Sequence, residues 1–250
     1  MKKFKIFLIL ALLGVFFGYS KIGYAYGFGV KKNTNNTQPD IGFYKAIIEE
    51  NNGIYVGSKE SKKVYLTFDC GYENGYTERV LDVLENHDIT AVFFVTGHYI
   101  DSAGKIVLRM KEDGHVIGNH SNKHKDITTL KEEEIKKEIK ELEDKYTKLT
   151  NSNIDPFYRP PEGQFDSKSL SVVKRLGYTT LFWSLAYQDW NHTNSTDFVL
   201  KEVSKNIHNG AIILMHTVSE ANALALEKVI INLKQEGYTF GNVYDLLGNI

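Results

Sequence analysis

Apolar runs too short to be ordinary helices recur along this chain, and several close on a polar side chain: V-Y-L-T-F-D (64–69), A-V-F-F-V-T (91–96) and I-I-L-M-H (212–216). Runs of this length, rich in β-branched and aromatic residues, read as strands buried on both faces. Helical patterns lie between them. Val80, Leu81, Val83 and Leu84 repeat at helical spacing within 76–86, and Ile135, Ile139, Leu142 and Tyr146 line one side of a segment reaching about Leu149. Thr129 and Glu132 are spaced as a capping box for that second helix. Further helices are expected over 103–112, 167–176, 195–207 and 221–236, and strands over 157–159, 180–183 and 239–240. Repeated βα units of this kind leave few solutions: a mainly parallel sheet, buried on both faces or closed as a barrel. In such folds the chemistry belongs at the C-terminal ends of the strands.

With 250 residues, 42% hydrophobic, the chain can bury one sizeable core. A single catalytic domain over 62–250 is the simplest division. The formal net charge of −1 provides no basic stripe for phosphates, so nucleic acid is not an expected partner. The lysines of 131–140 alternate with Glu132, Glu133, Glu134 and Glu138, as on a solvated helix face. At the N-terminus, Lys2, Lys3 and Lys5 precede an apolar run from Ile6 to about Tyr19. That is the length of a secretory apolar segment and short for a membrane span, which needs about 20 residues. With Gly23 and Ala25 forming a small-x-small site, residues 1–25 read as a signal peptide or signal anchor. The body of the protein is then exported, meeting the membrane only through this segment. Residues 26–61, including K-K-N-T-N-N-T-Q-P-D (31–40), read by composition as a linker. The single cysteine, Cys70, excludes an internal disulfide.

The polar residues at strand ends carry the functional argument. Asp69 ends an apolar strand, either capping a turn before Gly71 or serving as an active-site acid at the mouth of a βα loop. His120 and His124 stand at i and i+4 in H-S-N-K-H, a spacing that faces two imidazoles the same way on a helical turn. Two converging neutral imidazoles suit a divalent ion such as zinc, although exposed histidines are the plainer reading. Arg159 opens the stiff turn R-P-P-E-G (159–163) and is either structural or an anchored guanidinium holding a carboxylate. W-S-L-A-Y-Q-D-W (183–190) brings Asp189, Trp190 and a second tryptophan to another strand end, where aromatic walls suit a sugar ring. A lone histidine at a strand end, such as His216, is ordinarily structural; here it joins four other polar clusters in equivalent positions.

In order, T-F-D-x-G, H-S-x-x-H, R-x-P-x-G, D-W and L-x-H resemble the motifs of the NodB-type polysaccharide deacetylases, carbohydrate esterase family 4, over residues 62–247. G-Y-E-N-G (71–75), V-T-G-H-Y (95–99), H-V-I-G-N-H-S (115–121) and F-W-S-L-A (182–186) are most similar to the PdaA-like branch, the peptidoglycan N-acetylmuramic acid deacetylases. The resemblance implies an α/β fold, a distorted (β/α) barrel with an incomplete strand count. It implies metal-assisted removal of the N-acetyl group of muramic acid, on the way to the muramic-δ-lactam of the spore cortex. Carried over by position, Asp69 is the general base, Arg159 its clamp and His216 the general acid. His120 and His124 are metal ligands, Trp190 and Leu214 line the pocket, and a backbone N–H near Tyr72 joins the oxyanion site. The implied cofactor is a divalent metal ion, zinc first, with cobalt, manganese or magnesium as alternatives. The implied partner is the peptidoglycan glycan strand, met by a monomer at the cell wall or spore envelope.

Two positions depart from the family pattern. A second acid, the third metal ligand, usually follows the first, and here that position is Cys70; a thiolate can bind zinc, but a small buried residue fits as well. The acid expected four residues before the final tryptophan is Ala186, leaving only Asp189 beside Trp190. Glu73 is a nearby carboxylate that could replace the missing ligand. Deacetylation of chitin oligomers or of peptidoglycan glucosamine, O-acetyl ester hydrolysis, and an inactive glycan-binding role are the alternatives to the leading reading.

Overall fold

The computed structural model describes residues 24–31, 35–191 and 193–249. Apart from Tyr24 and Ala25, the expected signal segment lies outside these residues. No helix among the described residues is long and apolar enough to cross a membrane.

The strands are β1 (Tyr26–Gly27), β2 (Gly53–Ile54), β3 (Lys63–Cys70), β4 (Val92–Val95), β5 (Val116–Asn119), β6 (Phe157–Tyr158), β7 (Gln164–Phe165), β8 (Thr179–Leu181), β9 (Ile212–His216) and β10 (Thr239–Phe240). The helices are α1 (Tyr44–Glu50), α2 (Thr77–Asn86), α3 (Gly97–Glu112), α4 (Glu132–Thr150), α5 (Ser167–Arg175), α6 (Thr196–Asn206) and α7 (Glu220–Gln235). Strands run β10-β3-β4-β5-β6-β8-β2, with β9 also paired to β3, and every pairing in this sheet is parallel. The sheet curls as a half-barrel, and an isolated parallel bridge from Leu185 to Ile213 joins the chain beyond β8 back to β9. This is the curled α/β architecture expected from the βα repeats, with short strands on the open side.

Alternation along β3 sorts its residues between two cores. Val64, Leu66, Phe68 and Cys70 pack outward with Val80, Leu84, Val107, Leu226 and Ile230 of the surrounding helices. Tyr65 packs inward with Phe94, Phe157, Leu181, Ile212 and Leu214. Asp69 shares the inward phase, so the acid points into the barrel mouth and the thiol beside it points the other way. In register, Asp69 of β3 lies opposite His216 of β9, so two candidate catalytic residues are placed by ladder hydrogen bonding alone.

Two local expectations are revised. The long helix α4 begins at Glu132 rather than at a Thr129 cap: Asp126 first caps a 3-10 turn over Ile127–Thr129, and the Glu134 carboxylate then accepts the Lys131 N–H at 2.8 Å. Glu134 is thus the reaching-back acid, two residues beyond the expected one. The segment expected as a linker is largely built into the domain. Ile48 is fully buried, Phe28 and Ile41 join the inner core, β1 pairs with β7 and β2 extends the sheet beside β8. Its Asn- and Gly-rich composition hides the apolar residues that dock it, Phe28, Ile41, Ile48 and Ile54 among them.

Ile48→Ala should therefore destabilise the domain by about 2–5 kcal/mol, the cost of a buried aliphatic cavity. Urea unfolding measures this, and a midpoint equal to that of wild type would mean that the segment is a linker after all.

Candidate active site

Arg159 follows β6 and is fully buried, with its guanidinium 4.2 Å from the centre of the Phe94 ring. Its donors are fixed from several sides. Nε donates to Leu181 O at 2.9 Å and Nη2 to Phe182 O at 3.0 Å. Nη1 donates to Thr67 Oγ1 at 2.9 Å and to Asp69 Oδ1 at 2.8 Å. The turn that follows is tight because Glu162 and Gly163 both have positive φ, 55° and 66°. A Cβ on Gly163 would also stand 2.7 Å from the Trp183 ring, so glycine is needed there twice over. Burial by itself would raise the Asp69 pKa. The Arg159 charge, with smaller help from His120 and His216, outweighs it and holds the carboxyl below the usual carboxylate range.

His120 comes directly after β5. Its Nδ1 lies 2.8 Å from the Arg159 carbonyl oxygen, which can only accept, so Nδ1 carries the proton and Nε2 presents a lone pair. That Nε2 is 3.6 Å from Asp69 Oδ2. Burial pulls His120 down to about 4, against the Asp69 charge, which leaves it neutral at neutral pH. The two motif histidines do converge, with ring centroids 4.9 Å apart at 74°, but they are not on a helix. Ser121 and His124 have φ of 63° and 51°, and the Asn119 side chain accepts the Ser121 N–H at 2.9 Å. A strained loop, rather than i, i+4 helical geometry, makes the pair.

Neutral imidazoles are the right donors for a divalent ion. No group of three His, Cys, Asp or Glu side chains that could hold a metal occurs among the described residues. Cys70 does not complete the set. Its thiol is fully buried in the outer core, accepts from Thr217 Oγ1 at 3.5 Å, and is pushed far up by that burial, so it stays protonated. Glu73 does not either: its carboxylate is taken by Thr77 Oγ1, by Tyr99 OH at 2.7 Å and by the Gly75 N–H at 2.6 Å. The donor chemistry present is thus the converging His120 and His124 pair, with neither Cys70 nor Glu73 joining it.

Opposite Asp69, His216 Nδ1 donates to Asp189 Oδ1 at 2.8 Å, leaving Nε2 as its remaining ring nitrogen. Asp189 Oδ2 accepts the His216 backbone N–H at 2.7 Å and the Asn222 side-chain amide at 2.5 Å. Burial opposes the imidazolium, but the Asp189 hydrogen bond and charge outweigh it and raise the His216 pKa above its ordinary value. Asp189 thus fills the role for which the position of Ala186 would have been a candidate.

Two adjoining cavities, of about 740 Å³ and 440 Å³, share Asp69, His120, His124, Trp190 and His216. Tyr72, His98 and Lys123 line the first, and Phe28, Trp183 and Leu214 line the second. Trp190 stands edge-on to His216 with centroids 5.6 Å apart. Asn222 and Phe28 were not singled out in the sequence. Asn222 sits within a helix pattern with no motif around it, and Phe28 lies in Y-A-Y-G-F-G (24–29) at the edge of linker-like composition, where alternating aromatics are its only mark.

Residues 56–181 match the polysaccharide deacetylase family. The chain is 43% identical over 222 residues to the peptidoglycan-N-acetylmuramic acid deacetylase PdaA of Bacillus subtilis, spanning 88% of this chain and 84% of that one. The solved structure of Bacillus subtilis PdaA, a family 4 carbohydrate esterase, superposes with a TM-score of 0.87 at 42% identity, covering 90% of this chain and 97% of the other. The peptidoglycan-N-acetylglucosamine deacetylase PgdA of Listeria monocytogenes is 32% identical over 76% of this chain and 40% of its own length. Fold, ordered motifs and matched span agree, and this chain belongs to the polysaccharide deacetylase family.

Proposed function

We propose that the protein removes the N-acetyl group of muramic acid in peptidoglycan glycan strands by metal-assisted amide hydrolysis. One observation carries this reading: Asp69, held ionised by Arg159, lies in register with His216, whose hold on its proton Asp189 strengthens. Amide hydrolysis needs a base for the attacking water and an acid for the departing amine, and a glycan-binding module needs neither. The likeness to PdaA supports muramic acid as the substrate, in preference to other N-acetylated glycans.

Family 4 enzymes are metal-dependent deacetylases. A divalent ion on His120 and His124, with zinc the best match to imidazole donors, would polarise the amide carbonyl and lower the pKa of water when bound. The remaining work falls to the chain. Arg159 occupies Asp69 Oδ1, so Oδ2 is the oxygen that takes the proton from water. The charge-assisted pair also keeps the carboxylate from turning away. His216 gives its Nε2 proton to the amine nitrogen as the C–N bond breaks, with Asp189 holding the ring. The Tyr72 backbone N–H meets the developing oxyanion, and Leu214 and Trp190 enclose the acetyl group and sugar. The enzyme acts outside the membrane at the cell wall, released or tethered by its N-terminal segment, and its product is the free amine from which the spore cortex muramic-δ-lactam closes.

Incubated with glycan strands stripped of their peptides, the purified protein should release acetyl from muramic acid by mass spectrometry. Asp69→Asn should lower that rate by about 10²-fold or more, the usual worth of a general base; equal rates would overturn the mechanism. Chelation should abolish activity and zinc restore it. Cys70→Ala should leave the metal content of the protein unchanged, because the thiol faces the core; loss of the ion would restore the thiolate ligand.

A further inference from the structure

We propose that a side cavity across Trp190 from the reaction pocket is the subsite for the uncharged N-acetylated sugar adjoining the muramic acid being deacetylated. The proposal rests on the functional reading above and adds how the strand is held and in which register. Trp190 lines both the reaction pocket and this cavity of about 330 Å³, and it is 55% exposed. A volume of that order is at the lower end for small-ligand sites, roughly 300–1,000 Å³. Its walls mix side-chain amides, Asn74 and Asn194, with Tyr76 and Leu224. Large apolar side chains left in water mark interaction surfaces when they gather. Tyr72 at 49%, Trp190 at 55% and Leu224 at 46% exposure line these two cavities, with Trp190 common to both. A sugar ring offers C–H faces to such surfaces and hydroxyl and amide edges to the asparagines. The neighbour of the reacting sugar is tied to it by one glycosidic oxygen, so its subsite must adjoin the reaction pocket, as this cavity does.

Charge decides which sugar sits where. The larger reaction cavity carries Lys123, and the acid that lines it, Asp69, is already paired with Arg159; Glu162 lines only the adjoining smaller cavity, on the Phe28 and Trp183 side. The side cavity has no lysine, arginine or histidine among its described lining residues, and it carries Glu220. The N-terminus of α7 adds about half a positive charge there, less than the full negative charge of Glu220. Muramic acid differs from glucosamine by a lactyl carboxylate. That anion is favoured beside Lys123 and disfavoured beside Glu220. In a strand where the two sugars alternate, this asymmetry places muramic acid over Asp69 and N-acetylglucosamine in the side cavity.

The test compares kcat/KM on a peptide-free tetrasaccharide with kcat/KM on the disaccharide. Leu224→Ala should lower the ratio about fivefold, the effect of losing one partly buried apolar contact. Ile231→Ala serves as the control: it removes an exposed residue two turns further along α7, outside the cavity, and should keep the wild-type ratio. Glu220→Lys should let acetyl loss spread to glucosamine units, read by mass spectrometry of the strands. An unchanged ratio in Leu224→Ala, or strands from Glu220→Lys deacetylated only at muramic acid, would overturn the subsite while leaving the activity assignment intact. A wild-type protein inert on muramic acid would remove both.

Discussion

The Arg159 guanidinium has no exposure to solvent, and a cation in that position is tolerable only if every donor is met and a counter-charge lies alongside. The fold meets both conditions with backbone from the β8 end, the Thr67 hydroxyl and the Asp69 carboxylate. Removing one partner of such a pair costs about 3–5 kcal/mol because the other is left buried and unpaired. Catalytic orientation and stability therefore depend on the same contact. The Asp69 carboxylate is fixed in position and charge state because the arginine beneath it has nowhere else to go. The Arg159 carbonyl extends the arrangement by setting the tautomer of His120.

On this base the parallel register does the rest of the assembly. Asp69 and His216 are neighbours across β3 and β9, yet their surroundings push them apart in proton affinity. Arg159 favours the ionised acid and Asp189 favours the protonated imidazole. Pairs of groups driven in opposite directions are how one site runs acid and base chemistry at the same pH. Asn222 contributes indirectly: by donating to Asp189 Oδ2 while its own Oδ1 accepts from Tyr187 OH, it leaves Oδ1 of the acid for the imidazole.

Much of this was legible beforehand because strand ends in a βα fold are fixed by apolar runs, and the runs are plain in the sequence. Asp69, Arg159, Asp189 and His216 were readable for that reason and do meet. The histidine pair was readable by spacing but for the wrong local geometry, since the positive φ of Ser121 and His124 leaves no periodic trace. Cys70 was ambiguous in sequence and is explained by strand alternation, which turns adjacent side chains to opposite faces. The packing of 26–61 was hidden because a handful of buried residues, Phe28, Ile41 and Ile48 among them, are diluted in polar composition. Asn222 acts through tertiary contact alone.

The central claim is that Asp189 raises the proton affinity of His216, the acid, while Arg159 lowers that of Asp69, the base. The pH dependence of kcat/KM on peptide-free glycan tests it directly, for wild type and Asp189→Asn. The acid His216 must hold its proton, so its raised pKa keeps the alkaline limb above about 6.5, the ordinary imidazole value. Without the Asp189 charge, burial and the Arg159 charge are opposed only by the smaller effect of Asp69, and the alkaline limb should move to lower pH while the acid limb stays in place. An alkaline limb unmoved by Asp189→Asn would contradict the account.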